Sequence, residues 1–508
     1  MKSAKVADER LLRRNRRQME KEAAYSFEKR MSSLSPDSSD TAKTGNSYKK
    51  DSTPTQQTAN SQRTSQSIAG KSLSTAHKDF GGVFGVCFIA LLLPAWSLWI
   101  SIACQSRSHC LHFYNLSDIK FTVGKWWPKT FADYWNWEAF GIVIAWQLFC
   151  AFLYIVLPGK TVKGLPIKEL KGTQLKYKLN GHLQFWVTLF FLRFGNIKYD
   201  AAFGSLTFNA FPLNHLLQMY IPLMTATFAV SIILSVILYL LSFRKSTVLS
   251  HSGSTGYFLV DFFMGRELNP RGIFLFDWKV FLDLRPSLIG WTVLNVAFLI
   301  AEKDFKGYVS TPLVLVSLFQ GIYTWDALLH EEALLTTMDI TTEGLGFMLV
   351  FGNISWVPFM YSLQGHYLVY FNGNISYLYL LTCSLLFIEG YYIFRASNSE
   401  KDTFRRDPTN PEVKHLEYLE TETGRKLLTS GWWGTARKIN YTGDMLMALS
   451  WCLLAGFGSP VPFFYFFYLV ILLCHRAWRD DIACRRKYGS FWTTYKKSVP
   501  YIFIPRLI

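Results

Sequence analysis

RKLLTSGWWGTARKINYTGDMLMALSWCLLAGFGSPVPFFYFFYLVILLCHRAWRDDIACRRKYGSFWTTYKKSVP, residues 425–500, holds two long apolar runs, each flanked by Arg, Lys, Asp, Asn and Tyr. Segments buried in lipid rarely keep such polar company without a task, because every ionisable group there costs free energy. The stretch points to membrane helices whose polar ends build a site for a large anionic cofactor at the cytosolic surface.

The rest of the chain carries the same signature. Of 508 residues, 50% are hydrophobic, with 42 Phe, 26 Tyr and 17 Trp. Soluble domains seldom combine that aromatic load with several apolar runs of roughly 20 residues, so a polytopic α-helical membrane protein is expected. The net charge of +17 suits anionic lipid headgroups, an anionic cofactor or nucleic acid. Eight cysteines are scattered without a CxxC pair, so neither a zinc site nor a disulfide framework is expected. Cys104 and Cys110 are near enough to bridge but read as two free thiols. The N-terminus lacks the apolar core of a cleavable signal, which leaves targeting to the first transmembrane helix.

Residues 1–78 stand apart. They are rich in Ser, Thr, Lys, Arg and Gln, have almost no core-forming residues, and are expected to be a disordered basic tail. Arg13, Arg14, Arg16 and Arg17 cluster there, suited to nucleic acid, acidic lipid or an import receptor, or else to a solvated tail. Residues 79–508 are expected to form one all-α transmembrane bundle. Spans are expected near 83–104, 138–157, 182–198, 217–242, 286–302, 309–329, 346–363, 367–394, 445–457 and 460–474, about ten helices. An even count puts both termini on one side, and the positive-inside rule makes that side cytosolic.

Several polar clusters carry the chemistry. Arg476, Asp480, Cys484 and Tyr488 recur every four residues, flanked by Arg485 and Lys487, and so share one helix face. Clustered Arg and Lys suit a pyrophosphate or 2′-phosphate, and an Asp with a Tyr suits a ribose or amide. An interfacial helix that meets lipid headgroups also explains the cations. Lys401 and Arg405, at i and i+4 beyond an apolar helix, can point at one phosphate. In GWWGTARKINYTGD (431–444), the glycines permit close backbone approach. Trp432 and Trp433 suit stacking on a planar ring or anchoring at the interface. Between 317 and 349, Asp326, His330, Glu331, Glu332, Asp339 and Glu343 interrupt apolar sequence, and buried carboxylates in membranes usually line a cavity. Tyr323 and Asp326 share a helix face, so an acid-polarised Tyr323 hydroxyl can release a proton in a dry pocket. His330 stands alone in this stretch, and no metal is expected. GRELNPR (265–271), followed by DLRPSL (283–288), either seals a vestibule or organises a loop.

GRELNPR, HEEALLTTMDIT (330–341), GFMLVFGN (346–353) with WVPFMYSLQ (356–364), LLTSGWWGTARKINYTGD (427–444), and HRAWRDDIACRRKYG (475–489) with VPYIFIP (499–505) together resemble the sterol reductase family. That family includes C-14, C-24(28) and C-7 reductases and the lamin B receptor. The resemblance covers roughly residues 78–508, and TTMDITTEGLGFML (336–349) and GRELNPR look closest to the C-14 reductase and lamin B receptor branch. It implies a ten-helix domain in the endoplasmic reticulum or inner nuclear membrane, with NADPH in a cytosol-facing C-terminal pocket built from about residues 395–508. By similarity, Lys401 and Arg405 contact cofactor phosphate, and Leu428, Trp433, Asn440 and Tyr441 line the pocket. Asp480, the run Cys484, Arg485, Arg486, Lys487 and Tyr488, and Tyr495 complete it. Tyr323 and Asp480 match the catalytic positions.

The implied reaction is reduction of the C14=C15 alkene of a sterol at the membrane. An alkene that carries no electron-withdrawing group is a poor hydride acceptor, so a proton, from Tyr323, arrives first at C15 and hydride follows at C14, in a pocket that excludes water. The chain departs from the family at Arg437-Lys438-Ile439-Asn440-Tyr441, where many relatives read Arg-His-Pro-Asn-Tyr. Residues 1–78 are too short and polar for the Tudor-like domain of the lamin B receptor. Their charge keeps open an anchor that binds chromatin, DNA or lamin with weak or no catalysis. A methyltransferase that uses S-adenosylmethionine is opposed by the phosphate-directed Lys401 and Arg405.

Overall fold

Apolar length sets the architecture, since about 20 helical residues at roughly 1.5 Å each cross the hydrocarbon core. The computed structural model describes residues 79–507 apart from 107–108, 111–127, 168–169, 171, 201–204, 246, 273–275, 372–374 and 423; the tail expected to be disordered lies outside the described residues. Among them, seven helices are long and apolar enough to cross a membrane, and the chain is a multi-pass membrane protein. Six of the seven are α1 Gly82–Ile102, α2 Phe131–Val156, α3 Tyr220–Leu241, α4 Trp278–Lys306, α5 Thr311–Leu329 and α6 Tyr377–Arg406. The chain then forms α7 Ile439–Leu453, the seventh spanning helix α8 Phe464–Tyr488, and the short α9 Ser490–Ser498. On their outer faces Phe84, Leu91, Phe152, Leu240, Leu378 and Ile471 are each more than half exposed, an apolar belt that only lipid would cover.

The remaining expected spans are shorter or broken. The one near 182–198 is a 14-residue helix, Gly181–Phe194, that runs into a hairpin. The one near 346–363 is interrupted by a π turn, Gly352–Trp356, followed by Pro358 at the start of the next segment. The expected 367–394 span starts only at Tyr377, after a separate short helix, Leu363–Tyr370. The fold is mostly helical, with four two-stranded antiparallel hairpins in the connections: β1–β2 (104–106, 109–110), β3–β4 (160–167, 173–179), β5–β6 (196–200, 205–209) and β7–β8 (418–420, 426–428). One hairpin corrects the cysteine reading. It brings Cys104 and Cys110 to a Cα separation of 4.1 Å, and they form a disulfide. Spacing shows proximity in sequence; only the antiparallel pairing sets the two cysteines opposite each other.

Buried polar groups hold the helices in register. Gln320 of α5 accepts from Trp291 Nε1 (2.9 Å) and Asn295 Nδ2 (2.8 Å) of α4, and donates to Tyr361 O (3.1 Å) and Gln364 Oε1 (3.0 Å). Each group is satisfied by a neighbouring element, which fixes one arrangement rather than several. Arg285, fully buried, pairs with Glu331 and donates to Val280 O (2.9 Å) and Asn180 Oδ1 (3.1 Å). GRELNPR organises a loop: Ser250 N donates to Arg266 O (2.7 Å), and Leu345 N to Glu267 O (3.1 Å). Lys279 Nζ closes it with bonds to the carbonyls of Leu268, Ile340 and Glu343 at 2.9, 3.1 and 2.6 Å.

Candidate active site

Two glycines set the foundation. Gly390 of α6 and Gly443 of α7 let the backbones touch: a Cβ on Gly443 would lie 2.6 Å from Gly390 O and 2.6 Å from Phe394 N, and one on Gly390 would lie 2.8 Å from Gly443 O. Small residues at a membrane-helix crossing allow this approach. Gly443→Ala forces the pair apart and is expected to cost about 1–3 kcal/mol through overpacking, read as a lower unfolding midpoint in detergent.

Above that crossing, at the polar ends of α6, α7 and α8, the three C-terminal motifs converge. Gly431, at φ +63°, tucks its backbone under Glu400, whose Oε1 accepts from Trp432 N (2.9 Å). Trp433 Nε1 donates to Ser397 O (2.7 Å), which lays the indole beneath Lys401 Nζ, 3.4 Å from the ring centre. Phe404, Val413, Leu416, Leu428 and Trp433 form a small core that roots the β7–β8 hairpin. Leu419 and Leu427 of that hairpin pack on Trp492, Tyr495 and Val499, beside Cys484 and Tyr488. Asp481 fastens α9 to α8 by accepting from Trp492 Nε1 (2.8 Å) and Lys496 Nζ (3.2 Å).

The charge in this mouth is lopsided. Lys438 forms an ion pair with Asp480, and Lys438, Lys487 and Lys401 act together on Cys484 beside that one carboxylate. Arg405 lies near Tyr488, Arg425, Asp402 and Asp480. Arg437 donates to Val499 O (2.6 Å) and Pro500 O (2.8 Å), and burial lowers the affinity of its guanidinium for its proton. Tyr495 is pushed up to about 12 by burial, so its hydroxyl stays a donor. Of the expected site residues, Arg485 turns to Asp481 (3.2 Å) and Arg486 is exposed.

Deeper, α7 carries Asn440, Tyr441 and Asp444 on one face. Asn440 Nδ2 donates to Asn398 Oδ1 (3.3 Å), while its own Oδ1 is buried without a hydrogen-bond partner. Tyr441 stacks on Phe503, ring centres 6.4 Å apart. Asp444 is buried and lies beside Tyr323 of α5. The Tyr323 ring lies 5.9 Å from Trp291 and 5.7 Å from Trp451, and Trp451 is 5.7 Å from Tyr465.

Tyr323 and Asp480 both lie within reach of Arg476, which interacts with each of them. Asp326 is committed elsewhere: it accepts from Tyr391 Oη (3.0 Å) and Arg395 Nη1 (3.2 Å). The other carboxylates of the acidic stretch are ion-paired across elements, Glu332 to Lys160 (3.4 Å), Asp339 to Arg476 (3.2 Å) and Glu343 to Arg479 (2.6 Å). Arg476 thus leaves the four-residue stripe of α8 for a structural bond.

The mouth is rich in cations, with an indole under one of them, a donor set that could hold an anionic ligand. Beneath it, the rings of Trp291 and Trp451 flank Tyr323, beside Asp444.

A family profile described as "Ergosterol biosynthesis ERG4/ERG24 family" matches residues 74–508. The chain is 40% identical over 437 residues to Delta(14)-sterol reductase LBR of Gallus gallus, covering 85% of this chain and 64% of that protein, so it spans a little under two thirds of that relative. It is 39% identical over 439 residues to Delta(14)-sterol reductase TM7SF2 of Mus musculus, covering 86% of this chain and 99% of that protein. It is 42% identical over 428 residues to Delta(14)-sterol reductase erg24 of Schizosaccharomyces pombe, covering 84% and 96%.

Proposed function

The chain belongs to the ergosterol biosynthesis ERG4/ERG24 family, and from that membership we propose that it reduces the C14=C15 double bond of a sterol with NADPH, in the endoplasmic reticulum or the contiguous inner nuclear membrane. The observation that carries the reading is one polar helix face on α7: Asn440 and Tyr441 beside a cationic mouth, then Asp444 against the partly buried Tyr323.

Lys401 and Arg405 would hold cofactor phosphate, with Arg425 and Lys487 beside them. Leu428, Trp433 and Tyr441 would wall the pocket, Asn440 Oδ1 would accept from a carboxamide N–H, and Cys484, Tyr488 and Tyr495 would close the floor. NADPH, when bound, supplies the hydride. Asp480, already paired with Lys438, acts as an acceptor in the cofactor set. Tyr323 donates its hydroxyl proton to C15, which leaves a tertiary cation at C14 for the hydride. The rings around Tyr323 keep out water that would quench that cation.

The test is a Δ8,14-sterol with NADPH and purified protein in detergent or microsomes. Loss of the conjugated-diene absorbance is expected; a diene that persists under conditions where NADPH binds would sink the reading. Chromatin, DNA or lamin binding would belong to residues 1–78 alone. Their deletion is then expected to release the protein from the nuclear rim and to leave sterol reduction intact.

A further inference from the structure

Each turnover of the proposed reaction takes one proton from Tyr323, and that proton has to be replaced through the protein. Asp326, three residues along the same helix, already bonds Tyr391 and Arg395, and Asp480 already pairs with Lys438. Of the carboxyls that act on Tyr323, Asp444 of α7 is the one not held in an ion pair of its own. It is buried, its Oδ1 has no hydrogen-bond partner among the described residues, and the cation that acts on it, Arg476, is bonded to Asp339. A carboxylate so placed is costly, whereas a carboxylic acid is far less so and can donate. The groups that act on Asp444 are Tyr323 of α5, Arg476 and Tyr465 of α8, and Tyr361. From α6, the adjacent contact is the Gly390 backbone against Gly443. One turn toward the polar end, on the same face, lie Tyr441 and Asn440, whose Oδ1 is also unpartnered.

We propose that Asp444 is the positioning residue that reloads Tyr323. The Tyr323 O–H bond breaks as the C15–H bond forms. The Asp444 carboxylic acid then passes its proton to the tyrosinate oxygen, and a hydronium or buffer acid entering past Asn440 and Tyr441 restores the Asp444 O–H. One proton from solvent and one hydride are consumed for each sterol reduced.

This rests on the reductase reading, which the wild type tests separately: if it reduces no sterol the reading fails, whereas an active wild type leaves Asp444 to be judged on its own. The experiment is rapid-mixing reduction of a Δ8,14-sterol by Asp444→Asn, Asp444→Glu and Asp444→Ser. NADPH affinity is measured by fluorescence titration, and folding by thermal unfolding without cofactor. Tyr323 starts protonated, so Asp444→Asn is expected to give a burst of about one product per enzyme and then a steady-state kcat about 100-fold or more below wild type. NADPH affinity should stay within about two-fold, the pH dependence of kcat should change, and Asp444→Glu should restore kcat to within about ten-fold. A kcat within about three-fold of wild type with an unchanged pH profile overturns the proposal. So does an equal loss in the burst and in later turnovers, or a parallel loss of NADPH affinity, which moves Asp444 into the cofactor pocket. Failure of both Asp444→Asn and Asp444→Ser to fold also overturns it and makes Asp444 a packing residue.

Discussion

Tyr323→Phe is expected to lower kcat for Δ8,14-sterol reduction by about 10³-fold, within the 10²–10⁴ range that a positioned general acid contributes. The substitution removes one oxygen. The ring keeps its neighbours Trp291 and Trp451, so the cavity wall retains its shape and sterol KM should change by less than about three-fold. NADPH affinity should be untouched, because the cationic mouth at Lys401, Lys438 and Asp480 lies nearer the polar end. A loss confined to kcat marks an interaction made only in the transition state. If Tyr323→Phe turns over within ten-fold of wild type, the proton comes from elsewhere, and the assignment of Tyr323 fails.

The same residue marks the border of what the amino-acid order reveals. Tyr323 stood out because a tyrosine among carboxylates is unusual in apolar sequence, and the helix period then chose Asp326 as its partner. Asp326 does act on Tyr323, and Asp444, on a different helix brought there by the Gly390–Gly443 crossing, acts on it as well. No periodicity connects positions so far apart, so only packing could report it. Lys438 was visible as a departure from the family's Arg-His-Pro-Asn-Tyr, yet its pairing with Asp480 depends on how α7 and α8 lie together. The i, i+4 stripe on α8 was legible as a face, because helix geometry alone defines it. Which members would be spent on structural bonds was not: Arg476 is taken by Asp339. Hydropathy located the long spans but did not report where π turns, prolines and short helices interrupt apolar sequence, because apolar composition records burial and not continuity. The hairpins between spans went unread for a related reason: short polar connections carry weak strand patterns beside strong membrane ones.

Removing both cations at the end of α6, Lys401→Ala with Arg405→Ala, is expected to raise the NADPH Kd by about 10²–10³-fold while leaving kcat at saturating NADPH within a few-fold of wild type. A hydrogen bond to a charged group is worth about 1.5–3 kcal/mol, and each 1.4 kcal/mol is a factor of ten, so two such bonds bracket roughly 10²–10⁴. The lower part of that range applies because Arg405 is exposed, where solvent screens its charge. Lys401 is partly buried, with its Nζ 3.4 Å from the centre of the Trp433 ring; that contact fixes the ammonium and adds about 0.5–1 kcal/mol to holding it there. Lys401→Ala alone should therefore account for most of the loss. The Arg405 share should shrink when the titration is repeated at 1 M salt, where the screening length is about 3 Å. Trp433→Ala should weaken binding by freeing Lys401, and Trp433→Phe should recover part of it. Fluorescence titration with NADPH across this series reads each of these affinities. A double variant that binds NADPH as tightly as wild type would remove the cationic mouth from the cofactor site and return these side chains to the lipid headgroups.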